Sequence, residues 1–239
     1  MEKMYLLVVD VETAGDVETN PLVYDIGAQI IDLAGNIYQK ESWVVYDIYA
    51  KERELMQSAY YASKLPQYEL DLAAKTRKMA RFSTIRRIIW KWMADYNAYF
   101  VAAYNTSFDR RALNNTLCFL SEGKFKYFFP YKTEYIDIWR MACLSICNTK
   151  SYHQVAYDNG WFSSAGNVRT SAEVVYSFLV NQPDFEEAHT ALEDVNIETD
   201  ILLYCWPKVK ANERNIVGNP WRLPQKEWAF HEAKFDGII

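Results

Sequence analysis

The stretch that most constrains this chain is Leu6-Leu7-Val8-Val9-Asp10-Val11-Glu12, four apolar residues running unbroken into Asp-Val-Glu. An uninterrupted, partly β-branched apolar run reads as a strand covered on both faces, at the centre of a sheet. Side chains alternate along a strand, so Asp10 and Glu12 share one face. Two carboxylates held a few Å apart repel, and one takes up a proton unless a cation sits between them. The stretch alone also fits a strand that ends at the surface with two solvated acids.

A chain of 239 residues, half of them hydrophobic, is enough for one large domain with a real core. No apolar run approaches the roughly 20 residues of a membrane span, and acidic residues arrive too early for a signal peptide. Cys118, Cys143, Cys147 and Cys205 show no disulfide spacing, which sets a reducing, cytoplasmic compartment as the expectation. The formal net charge of −5 argues against a bulk nucleic-acid coat protein but leaves room for a local basic groove. Aromatics at 16% serve a core or stack bases; composition does not separate the two.

In order, strands are expected over about Met4–Glu12, Val23–Leu33 and Ile37–Tyr46, with turn chemistry at Thr13-Ala14-Gly15-Asp16 and a hairpin at Ala34-Gly35-Asn36. Residues 47–80 read as a helical insertion interrupted by Pro66. Ser83 or Thr84 caps an amphipathic helix whose apolar positions are Ile85, Ile88, Ile89, Trp92, Met93 and Tyr96. Phe100–Tyr104 is a short buried strand, followed by an Asn105-Thr106-Ser107 turn and a helix to about Leu120 with Asp109 in its first turn. Tyr135–Asp137 reads as an edge strand, with helices following to Cys147, over 151–159, over Thr170–Val180 and over Thr190–Cys205. Residues 1–206 form the domain, and 207–239 a tail packed on it. Strands first, then alternating helix and strand, predict an α/β layered domain.

A second informative segment is His189-Thr190-Ala191-Leu192-Glu193-Asp194. Thr190 and Glu193 have capping-box spacing. With Thr190 as N-cap, His189 sits outside the helix and Asp194 one turn inside, so both can aim at one cleft. Asp109 adds a further acid near a helix start, where it also complements the helix dipole. Four acids and one His at the ends of buried elements are a kit for two hard divalent cations and a general base.

Three segments in order resemble the DEDDh family of 3′→5′ exonucleases: Asp10-Val11-Glu12-Thr13, Ala103-Tyr104-Asn105-Thr106-Ser107-Phe108-Asp109, and His189-Thr190-Ala191-Leu192-Glu193-Asp194. The resemblance implies an RNase H-like fold, an antiparallel meander followed by alternating helix and strand. It also implies two Mg²⁺ or Mn²⁺ ions held by Asp10, Glu12, Asp109 and Asp194. His189 would take the proton from water; an acidic surround raises its pKa, so activity rises toward alkaline pH. Thr13, Ala14, Asn105 and Phe108 would meet the substrate. Asp16 and Val17 follow Gly15 where family members often carry an apolar wedge, which leaves DNA against RNA open.

The basic run between Asp71 and Asp95 supplies candidate phosphate contacts, among them Arg77, Arg81, Arg86 and Arg87, or else a solvated helix face. The expected activity is release of 5′-mononucleotides from single-stranded DNA 3′ ends. An exoribonuclease or oligonucleotidase is the alternative within the class, and a non-catalytic nucleic-acid or partner-binding module the alternative outside it. The expected partner is a single-stranded 3′ end, with a polymerase or a second copy of the chain as further candidates and no membrane.

Overall fold

The computed structural model describes residues 3–16, 18, 20–59, 62–187 and 189–225. β1 (Tyr5–Ala14), β2 (Leu22–Asp32) and β3 (Ile37–Val45) form an antiparallel meander. β4 (Lys78–Ala80) runs parallel to β3 at one edge. At the other, β5 (Phe100–Ala103) runs parallel to β1, and β6 (Glu134–Asp137) parallel to β5. The sheet order is β4-β3-β2-β1-β5-β6, with β1 interior as its apolar run requires.

The helices are α1 (Tyr46–Tyr49), α2 (Arg53–Met56), α3 (Leu65–Ala74), α4 (Phe82–Asp95), α5 (Thr106–Leu120), α6 (Ile138–Ser145), α7 (Lys150–Asp158), α8 (Ala172–Val180) and α9 (Ala191–Cys205). They cover both faces of the sheet. Leu7, Val9 and Val11 share a core with Ile85, Ile89 and Met93 of α4 and Leu113 of α5. Leu6 and Val8 share the other core with Met141 of α6, Tyr152 of α7, Val175 of α8 and Val195 and Ile201 of α9. Each fully buried aliphatic side chain of β1 stabilises by about 1.5–3 kcal/mol. Asp10 and Glu12 follow the even positions and turn toward α9.

The insertion departs from its expected form in three ways. Pro66 does not interrupt a helix but opens α3, where its missing N–H leaves no bond unmade. After α3 the chain returns as β4, too short for its sequence to betray it. The cap of α4 is neither Ser83 nor Thr84, because the helix already begins at Phe82; the Asp47 carboxylate of α1 accepts the Phe82 N–H at 2.9 Å. At the other end, Gln225 exchanges bonds with the Val168 main chain at 2.9 and 3.1 Å, and Pro220 and Val209 are buried. Residues 226–239, Trp228 among them, and Val17 lie outside the described residues.

Candidate active site

Gly27 sets the geometry. It stands opposite Asp10 in the β1–β2 ladder, and a Cβ there would lie 2.1 Å from the Ala191 carbonyl oxygen. Only glycine lets the first turn of α9 rest on the sheet beside Asp10. Asp194 lies in that turn. Ligand oxygens of Asp10, Glu12 and Asp194 all fall within 4.8 Å of one another.

These acids open on a cleft of about 250 Å³, lined also by Thr13, Tyr104, Phe108, Glu187, His189 and Glu198. Among the described residues no lysine or arginine lines it. Asp109, 2% exposed, stands apart from the group of three, and its charge bears on Asp10. Burial raises each of these carboxyls, and for Asp10, Glu12 and Asp194 mutual repulsion adds to it. Asp10 stands well above the usual carboxylate range, through burial and then Asp109 and Glu187. Glu12 is pushed up to about 10 by burial, then by Asp10 and Asp194. Asp194 reaches about 9 through burial, then Asp10 and Glu187.

His189 is outside the helix, as expected, with a left-handed φ of 53°. Its Nδ1 is 3.7 Å from Glu187 Oε2. Its pKa moves opposite to expectation. Burial lowers it and outweighs the acids Glu173 and Glu186, so the neutral imidazole predominates at neutral pH. The Thr190–Glu193 pair forms, but as a side-chain bond of 2.6 Å and not a reciprocal main-chain cap. The nearby Ala191 N–H helps to lower the Asp25 pKa against its burial.

Several expected substrate contacts lie elsewhere. The ladder register shifts between Glu12 and Thr13, which reverses the alternation. Thr13 therefore faces the cleft, while Ala14 turns into the core on the α5 side. Phe108 lines the cleft, but Asn105 does not; it holds the left-handed turn before α5 at φ 68°. Arg86 and Arg87 border a separate groove. Arg86 is not outward: its Nε and Nη2 donate to the Phe128 and Tyr127 carbonyls at 2.8 and 2.9 Å. Arg77 is a buried partner of Asp25, at 2.8 Å.

Sequence reasoning missed Glu187 and Glu198. Glu198, 3% exposed, sits one turn after Asp194, an i, i+4 spacing that was legible. Glu187, pushed up to about 7 by burial and then by Glu173, sits in a loop with no periodic signal.

The donor set fits hard divalent cations. All candidate ligands are oxygens, and Asp194 Oδ1, Asp109 Oδ2 and Glu198 Oε2 are buried without a hydrogen-bond partner.

No family model matches this sequence, and no curated protein matches it. Solved structures do. E. coli exonuclease I in complex with a dA16 oligonucleotide superposes at a TM-score of 0.51 and 13% identity, over 86% of this chain and 42% of that one. A zinc-bound E. coli exonuclease I complex with single-stranded DNA gives 0.55 and 13%, over 87% and 41%. The chain thus spans about two fifths of those structures' length. The mixed sheet and its flanking helices are the RNase H-like exonuclease fold.

Proposed function

We propose that this chain is a metal-dependent 3′→5′ exonuclease that hydrolyses the terminal phosphodiester of single-stranded DNA and releases 5′-mononucleotides. The observation that carries this reading is the convergence of Asp10, Glu12 and Asp194 beside His189, in a cleft that no lysine or arginine among the described residues lines. The fold shared with exonuclease I and the bare buried oxygens support it.

Asp10, Glu12 and Asp194 would hold one divalent ion, Mg²⁺ or Mn²⁺. Asp10 would share in a second, with Asp109 reaching it directly or through water. When bound, such ions supply Lewis-acid stabilisation of the charge that builds up at the reacting phosphate. His189 accepts the proton of the attacking water, and its lowered pKa keeps it unprotonated for that task. Water bonds to phosphorus, the bond to the 3′ oxygen breaks, and the shortened strand keeps a 3′ hydroxyl. Thr13 and Phe108 border the cleft where the terminal nucleotide would lie.

Both exonuclease I complexes hold single-stranded DNA, the observation that favours DNA over RNA. Matched end-labelled DNA and RNA strands, with Mg²⁺, with Mn²⁺ and with chelator, test the reading. Metal-dependent shortening from the 3′ end that Asp10→Asn abolishes is expected. Binding without any shortening would leave a non-catalytic module.

A further inference from the structure

A cavity of about 590 Å³ lies between the N-terminal half of α4 and the C-terminal end of α5. Lys51, Arg81, Arg86, Arg87 and Lys124 line it. The acid on its described wall, Asp47, is engaged: it accepts the Phe82 N–H and pairs with Lys51 at 3.2 Å. In a chain of net charge −5, five cations around one groove make a local field that attracts a polyanion.

Two rings give the groove flat walls. Trp90 is 37% exposed; its Nε1–H donates to the Phe128 carbonyl at 2.7 Å, and the Arg86 guanidinium lies 4.2 Å over its face. Phe125 is 49% exposed, with Lys124 Nζ 5.5 Å from its centroid. Cations interleaved with exposed rings offer phosphates and bases a partner each, the combination that holds single strands without regard to sequence. An acidic peptide would use the cations and leave the rings idle.

The groove is connected to the acids by one rigid element. Asp109 is in the first turn of α5, and Leu117 and Leu120 near its end border the groove. Eight to eleven residues of helix span about 12–17 Å, or about four or five stacked nucleotides at roughly 3.4 Å each. We infer that this groove binds the 5′-ward part of a single-stranded nucleic acid whose 3′ end lies at the acids, so that strands of two or three nucleotides do not reach it. This rests on the nuclease reading for the strand's direction.

The test is binding in chelator, where no cleavage occurs, read by fluorescence anisotropy with oligothymidylates of about 3 and about 12 nucleotides. The parent should bind the longer strand more tightly. In the doubly substituted Arg87→Glu, Lys124→Glu protein that preference should vanish, and the slope of log affinity against log salt should fall by about 1.4, at about 0.7 per lost contact. Phe125→Ala should weaken the long strand roughly 5- to 150-fold. An unchanged slope and length preference in a variant with the parent's melting temperature would overturn the inference. So would polyglutamate competing as well as the oligomer. If the charge reversal unfolds the protein, Arg81→Gln with Lys51→Gln on the facing wall carries the same expectations. Failure to digest with length-dependent binding intact would sink the nuclease reading alone; digestion with length-independent binding would sink the groove alone.

Discussion

Glu12 and Asp25 face each other across the β1–β2 ladder, both buried, and their surroundings differ sharply. Asp25 accepts from Arg77 at 2.8 Å and from the Tyr68 hydroxyl at 2.7 Å. Glu12 has Asp10 and Asp194 for neighbours. A buried acid is tolerable when its charge is answered; for Asp25 both bonds fall on Oδ2, and Oδ1 has none. On the insertion side the chain answers with its own arginine, carried there by the segment between α3 and β4. On the cleft side it gathers acids, an arrangement that a cation from solution completes.

The largest effect on digestion should come from collapsing the distance between the two sides. Gly27→Ala puts a Cβ inside the Ala191 carbonyl, so α9 must lift and carry Asp194 off the sheet. Overpacking should destabilise by about 1–3 kcal/mol, and digestion of labelled strands should fall below detection. Wild-type digestion by this variant would mean that α9 does not set the site.

On the cleft side alone, His189→Ala should lose about 10²–10⁴ in rate while keeping its metal-induced rise in melting temperature. The rising limb of the parent's pH–rate profile should fall below the ordinary histidine value of 6.5, because burial lowers the group. An equal loss in His153→Ala, a histidine buried on α7, would reassign the effect to folding.

On the Asp25 side, Arg77→Met strands a buried carboxylate and should destabilise by about 3–5 kcal/mol in denaturant unfolding. Adding Asp25→Asn should restore much of that. Full additivity of the two would show that the pair is not coupled.

The sequence revealed the elements that local pattern defines. The apolar run of β1, the periodic stripe of α4 and the acids at element ends are all readable from short windows, and Asp10, Glu12, Asp194 and His189 do converge. What escaped depends on long-range pairing. Arg77 meets Asp25 across 52 positions, and Asp47 caps α4 from 35 away. One register shift after Glu12 sends Ala14 into the core, and nothing local announces a bulge there. Likewise the pKa of His189 depends on how deeply it is buried, which neighbouring letters do not encode.

The smallest effect sharpens the comparison without disrupting either side. Glu12 at about 10, Asp194 at about 9 and Glu187 at about 7 are all raised above ordinary carboxylates. Folding therefore takes up protons. The stability these groups contribute is fully present below the unfolded values near about 4 and is lost as pH rises through the folded ones. Metal-free protein should lose melting temperature from about pH 5.5 to about pH 8, by at most about 1.4 kcal/mol per pH unit for each proton bound. Mg²⁺ or Mn²⁺ competes with those protons, so its stabilisation should be larger at the higher pH. Asp10→Asn relieves repulsion on both Glu12 and Asp194, so it should flatten the metal-free slope and remove the metal-induced rise. Arg77→Met removes the cation that holds Asp25 down against its burial, so Asp25 should bind protons more tightly and the metal-free slope should steepen. If Asp10→Asn keeps the parent's slope, the acids of the cleft are not the groups that titrate and the uncompensated charge lies on the Asp25 side of the ladder.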